Sequence, residues 1–432
     1  MNDFGKAVFA TVAVIGCVAA YGGGYFMRTR VDMGSTPNTF QNRAIFASNE
    51  DTLSGVSGDT AISDEAYFYE VTELLRRTYV DPVNVDYKMS SGAVRGMISS
   101  LLDPDSQFMN EEQFKAFQNF RHGKIEGIGV ELSYDFDEET IKQVREKSDS
   151  VDPLLLLPEI HISAVLPGTP AEKAGLKVGD EIRKIDDKFL ITATDIKKLR
   201  DLQTKVTEGK ATADELRKAS DMMNEMIKSN LAPGKVREKL TVGTVGSLDI
   251  TVNSAGSDVK FKVNRASVVV PPLEGINDAT ANLKFFVGAS DEMRQALKSG
   301  VKAFDLRNST LGDVTEMKNI LAMFLGEQEV GSIVSDKPIK RTPVTITGRK
   351  SEDSSIHLIV DDTVRGAARI FTQVMVGSGM ATVEFADGSK GDLSEPAKWI
   401  EVFDLPDGSG YTLRTGIFEP KNVSAQLVGE AQ

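Results

Sequence analysis

The 432-residue chain has a single cysteine, Cys17, so no disulfide can close within it. Its three histidines, His122, His161 and His357, stand far apart, and none has a second histidine at metal-ligand spacing. That argues against a metal centre built on histidine. Basic charge is also scarce: 50 Lys and Arg face 63 Asp and Glu, a formal net charge of −13. Without a basic excess to neutralise phosphates, the composition argues against a nucleic-acid partner. Nothing in the pattern implies a cofactor. What is present is enough apolar material to fold: 41% hydrophobic and 26% charged residues, spread over a length that suits two to four domains at about 150 residues each.

From Ala7 to Met27 (AVFATVAVIGCVAAYGGGYFM) no residue is charged, and Lys6 and Arg28 flank the run. As a helix rising about 1.5 Å per residue it is long enough to cross roughly 30 Å of hydrocarbon. Three readings fit. One is an uncleaved signal anchor, because the apolar run continues past Cys17 to the arginines. A signal peptide cut near Val18-Ala19-Ala20 is the second, and a lipoprotein signal at Val14-Ile15-Gly16-Cys17 the third. All three put the bulk of the chain outside the cytoplasm, periplasmic or at the cell surface, with the membrane as a partner.

Residues 31–62 are rich in Ser, Thr, Asn, Asp and Gly and read as a tether. Apolar spacing predicts helices across 63–122, one of them over Glu111–Phe120 with Phe114, Phe117 and Phe120 on one stripe. These stripes are expected to pack on one another. From Gly127 the texture turns to short β-rich runs: Gly127–Leu132, then an acidic stretch from Asp135 to Asp152 read as loop, then a strand over Ile160–Leu166. Pro167–Leu176 reads as a turn, a short helix and a glycine stop. Val178–Asp187 reads as a strand entering a hairpin. Ala211–Lys228 reads as an amphipathic helix with Leu216, Ala219, Met223 and Met226 on one side, a packed excursion within 203–232.

The segment GTPAEKAGLKVGDEIRKID (168–186) resembles the PDZ domain carried by carboxyl-terminal processing proteases. LLDPDSQFMNEEQFKAFQNFRHGKIEGIGVEL (101–132) resembles that family's entry into the domain, RASVVVPP (265–272) its exit, and SGVKAFDLRNSTLGD (299–313) a strand and loop of its protease core. The resemblance implies an α+β fold: an N-terminal helical segment (63–122), an inserted PDZ domain (123–265), a β/α protease-like core (266–420) and a tail (421–432). It further implies a groove for protein C-termini. Backbone N–H groups of Gly127-Ile128-Gly129-Val130 would hold the terminal carboxylate, and an open strand edge would take the peptide as an added strand.

Proteases of this family use a serine nucleophile and a lysine general base, a pairing that needs the lysine neutral. On alignment to the family's nucleophile-bearing helix start, Gly366 occupies the serine position, and glycine cannot be acylated. Lys390, in Asp387-Gly388-Ser389-Lys390-Gly391, is the candidate general base, with Ser394 as the nearest polar residue after it. The family's Asn-Pro-Gly-Gly oxyanion loop appears as Ser309-Thr310-Leu311-Gly312, leaving Gly312 as its one glycine. Two readings follow. In the first, the protein grips C-terminal tails without standard Ser/Lys catalysis. In the second, it is an active serine endopeptidase using Lys390 and a displaced serine, Ser378 or Ser389. A homo-oligomeric scaffold is a third option that no sequence seam marks.

Overall fold

The computed structural model describes residues 69–74, 85–146, 152–276, 278–336, 339–386, 389, 392–424 and 427. The apolar run 7–27 and the tether 31–62 lie outside the described residues.

After a helical stretch at 69–74 come α1 (Val85–Ser100), β1 (Gln107–Met109) and α2 (Glu111–Arg121). Asn110 starts α2 with a reciprocal cap: its side chain accepts from the Gln113 N–H at 2.9 Å, and the Gln113 side chain accepts from the Asn110 N–H at 3.0 Å. The aromatic stripe of α2 docks outward, contrary to the expectation of a self-contained helical core. Phe120 meets Phe286 edge to face at 5.4 Å, and the Phe114 ring lies against the backbone of Gly410. Aromatic rings of this size gain more from a neighbouring sheet than from two short helices.

β2 (Lys124–Gly127) leads into a module with strands β3 (Val130–Asp135), β4 (Glu159–Val165), β5 (Glu181–Ile185), β6 (Lys188–Phe189), β7 (Ser247–Ser254) and β8 (Ser257–Asn264). They form one antiparallel sheet in the order β3-β4-β5-β7-β8, with β6 paired to β5. β3 and β8 are its edge strands. After β8, β9 (Ala266–Val269) runs back antiparallel to β2, pairing Gly127 with Ala266 and Lys124 with Val269, so the module enters and leaves the rest of the chain side by side. Ile128, Ile160, Ile162, Ile182, Ile185 and Val252 are buried at its centre.

The module's helices are α3 (Glu138–Glu146), α4 (Pro170–Ala174), α5 (Ala193–Thr207), α6 (Ala213–Lys228) and α7 (Pro233–Thr241). α4 is set by turn chemistry: Pro170 fits its first turn and Gly175 closes it at φ 87. α3 replaces the loop expected between Asp135 and Asp152. Its signal is a cap rather than a periodic stripe, since Asp137 accepts from both the Thr140 N–H, at 3.0 Å, and the Thr140 hydroxyl, at 2.6 Å. The helical excursion begins at Ala193, ahead of 203, where Thr192 and Asp195 cap α5 reciprocally. Leu199 of α5 packs with Leu216, Met223 and Met226 of α6 and with Leu154, giving the excursion its own small core.

The second half holds two sheets. One contains β10 (Leu273–Glu274), β11 (Thr280–Leu283), β12 (Ala303–Asp305), β15 (Ile356–Val360) and β16 (Ala381–Phe385), with β11, β12, β15 and β16 parallel in that order. The connections carry α8 (Ala289–Lys298), α9 (Val314–Leu325) and α10 (Gly366–Gly377). The other sheet orders β1, β18 (Gly410–Pro420), β13 (Gln328–Asp336) and β14 (Ile339–Ile346), with β17 (Ala397–Asp404) also on β18. β1 thus fastens the N-terminal segment to the core, Gln107 opposite Thr412. Phe304, Phe324, Phe371 and Leu358 are fully buried between the layers, each contributing about 1.5–3 kcal/mol. The architecture is α+β, with the sheet module inserted between the helical segment and the β/α core.

Candidate functional site

Among the described residues, a strongly perturbed buried amine lies where β11 ends. Lys284 follows Leu283, and its neighbours lie in the loop after β12, from Arg307 to Gly312. Lys284 is 6% exposed. Its Nζ donates to the Arg307 carbonyl and lies 3.4 Å from Ser309 Oγ, which itself donates to the Leu283 carbonyl at 3.1 Å. Burial pulls the Lys284 amine down to about 8, against the carboxylates of Asp305, Asp361 and Glu131, which favour its charge; Arg307 opposes it. Glu131 comes from β3 of the inserted module, and burial pushes its carboxyl up although Thr310, Arg237, Arg365 and Lys284 pull the other way. Glu131, Lys284, Ser309 and Thr310 line one small cavity of about 10 Å³, whose apolar walls include Phe120 and Phe286. The Thr310 side chain is buried there beside Glu131, whose carboxyl it helps to hold down.

Gly366 begins α10, close to the same loop. Its φ is +53, and a Cβ placed on it would sit 2.5 Å from the Leu311 carbonyl oxygen and 2.8 Å from that of Thr310. Two hydrogen bonds hold the loop there: Arg365 N–H to the Ser309 carbonyl and Ala367 N–H to the Leu311 carbonyl, both 2.9 Å. Carbonyls therefore face the start of α10. Gly312, at φ +86, is required by close packing, since a Cβ would lie 2.7 Å from that of Phe285 and 3.0 Å from that of Ala367. Asp313 then caps α9, accepting from the Thr315 and Glu316 N–H groups at 2.8 and 3.1 Å and pairing with Arg121 of α2.

Lys390 lies outside the described residues. The serines weighed as displaced nucleophiles donate to local acceptors, Ser378 to the Met375 carbonyl at 2.9 Å and Ser389 to Asp362 at 3.2 Å. Ser394 donates to Asp392 at 2.6 Å. His357 is held on β15 between Thr382 and Glu384, and His161 pairs with Asp135 at 2.8 Å. Lys284 and Ser309 as a pair escaped the sequence reading. The available signal was one charge inside the otherwise apolar run Leu283–Val287.

The turn Gly127-Ile128-Gly129-Val130 forms between β2 and β3, with φ of 82 at Gly127 and 86 at Gly129. Two of its N–H groups, expected to await a carboxylate, are already engaged. Ile128 donates to the Leu240 carbonyl and Gly127 to the Gly243 carbonyl, both at 2.9 Å. The reason lies in α7, whose C-terminal carbonyls need donors and find them in this turn. α7 lies along edge strand β3, burying Val236 and Leu240 in the same cluster as Leu132 and Tyr134. The Tyr134 hydroxyl donates to the Pro233 carbonyl at 3.4 Å, and the Arg237 guanidinium sits 5.8 Å from the centre of the Tyr134 ring.

Comparison with known proteins places this architecture. A PDZ-domain profile matches residues 161–204, and a profile for the activating protease CtpB N-terminal domain matches residues 15–113. A probable CtpA-like serine protease of Staphylococcus aureus is 26% identical over 359 residues, covering 78% of this chain and 60% of the relative. Its counterpart in Staphylococcus haemolyticus is 24% identical over 347 residues, covering 74% and 57%. The chain thus spans about 60% of the length of these curated relatives. In three dimensions the fold is similar to the photosystem II D1 C-terminal processing protease, with a TM-score of 0.52 and 16% identity over 85% of this chain and 92% of that one. These matches support a place for the chain in the carboxyl-terminal processing protease family.

Proposed function

We propose that this chain is a non-standard member of the family, one that captures the C-terminal tails of other proteins in the groove between β3 and α7 and lacks the usual serine at the start of α10. The observation that carries the second half is Gly366: the loop carbonyls of Thr310 and Leu311 stand where a side chain would project. The tail-gripping half is supported by the PDZ match and by the glycine turn at an edge strand. Seating a carboxylate requires the end of α7 to give up the N–H groups of Gly127 and Ile128. The apolar run 7–27 supports a membrane-tethered, extracytoplasmic placement for the captured tails. No described helix is long and apolar enough to cross a membrane.

Fluorescence anisotropy on the full chain tests the reading, using peptides that end in a free carboxylate or in an amide. Charge-assisted hydrogen bonds to a carboxylate are worth about 1.5–3 kcal/mol, so amidation should weaken binding by about tenfold or more. Equal affinity for the two would refute the groove.

A further inference from the structure

A tail docked against β3 lies alongside a cation that no described carboxylate claims. We propose that Arg237 of α7 sets which tails the groove takes, favouring those with an acidic side chain at the third position from the end; this rests on the tail-capture reading above. α7 carries three basic residues, and two are already paired: Lys235 with Glu238 at 2.6 Å and Lys239 with Asp186 at 2.7 Å. Arg237 forms no ion pair among the described residues, and its Nε is buried without an acceptor. Such a donor costs free energy that an incoming carboxylate would recover. The guanidinium leans on Tyr134, 5.8 Å from the ring centre and beside its hydroxyl, and Glu131 faces it at longer range. Burial pushes the Glu131 carboxyl up, which makes it a weak competitor for the cation.

The position follows from strand and helix geometry. Val130, Leu132 and Tyr134 are buried on one face of β3, in the cluster that Val236 and Leu240 of α7 complete. An antiparallel tail with its last residue beside Val130 puts its third-from-last residue beside Leu132, about 7 Å along, with both side chains on that face. α7 runs from Pro233, near Tyr134, to Leu240 at the glycine turn. Arg237 stands three residues before Leu240, about 4.5 Å along the axis, and a helical side chain reaches back towards its own N-terminus. That brings the guanidinium level with the third residue from the end. A Glu there gains a charge-assisted pair, and a Lys meets a like charge. The chain as a whole carries −13, so its diffuse field favours a basic tail, and a local cation is needed to reverse that order.

Fluorescence anisotropy on the full chain tests this with free-acid peptides alike except for their endings: Glu-Ala-Leu, Gln-Ala-Leu or Lys-Ala-Leu. The Glu peptide should bind about tenfold more tightly than the Gln peptide, with the Lys peptide weakest. Arg237→Met keeps the apolar stem and should bring the Glu and Gln peptides within about twofold of each other, whereas a purely packing role for Arg237 would weaken all three alike. Arg237→Lys keeps a point charge and should retain a reduced preference. Should Arg237→Met fail to fold by circular dichroism, the wild-type order and Arg237→Lys decide. Equal affinity for the three peptides, or a Glu preference that survives Arg237→Met, would overturn the proposal. Tail capture would still stand if amidating the terminus weakened binding in the same series. Free acids that bind no better than their amides would remove tail capture, and this selectivity with it.

Discussion

Lys284→Met removes a buried ammonium while keeping the volume of its stem. In the unfolded chain the amine titrates at its usual 10.5, and in the fold at about 8. Between those values the unfolded chain binds a proton that the fold has released, so stability rises with pH across the window. Below about 8 both states are protonated and the fold bears the whole cost of the buried charge. At about 1.4 kcal/mol per pH unit the difference is about 3 kcal/mol. Methionine does not titrate and should lose this slope. Urea unfolding of wild type and variant at pH 7.5 and 10 reads it directly, because other groups titrate alike in both and cancel. Wild type should gain about 2–3 kcal/mol more than the variant between the two conditions. Parallel behaviour, within about 0.5 kcal/mol, would show that Lys284 is not desolvated and would remove the physical basis of its pocket.

Gly366→Ser should cost about 2–4 kcal/mol, from its positive φ and from carbonyls that a Cβ would meet, and should leave peptide cleavage unrestored; a stable, newly proteolytic variant would contradict the geometry. Asp313→Ala removes the cap of α9 and the partner of Arg121, for a loss of about 1–3 kcal/mol in denaturant unfolding. Burial alone would raise the Asp313 carboxyl, but hydrogen bonds from Glu316, Arg121 and Thr315 hold it below its usual value of 3.8. Its stabilisation is therefore present above that value and lost as pH falls through the lower folded one, a loss that the alanine variant should not show. Hydrogen exchange should find the Gly127 and Ile128 amides protected in the free protein, since the Gly243 and Leu240 carbonyls accept from them; exchange at the rate of an exposed loop would mean an open turn.

The inserted module was readable because its signals are local. Pro170 and Gly175 bracket α4, and the turn after β5 uses Asp186 at φ 55, so backbone chemistry announces each element in place. α3 was missed because only Ile141 and Val144 of its nine residues are aliphatic, too short a stripe to read, and its clearest mark is the Asp137 cap. The early start of α5 was available in Thr192 and Asp195, a three-residue capping interval. What sequence spacing could not supply is tertiary. Lys284 and Ser309 stand 25 residues apart, and only the parallel pairing of β11 with β12 brings the ends of those strands together. The carbonyls that occupy the glycine turn belong to Leu240 and Gly243, more than a hundred positions further on, and no pattern around Gly127 foretells them.

The account rests most on the seat for a chain terminus at Gly127–Val130. Amide resonances of Gly127, Ile128, Gly129 and Val130, followed by transverse-relaxation-optimised NMR while free-acid and amidated peptides are titrated in, test it residue by residue. The account predicts that these four amides shift with the free acid and stay in place with the amide. Shifts confined to other parts of the chain, with these four unmoved by either peptide, would contradict it.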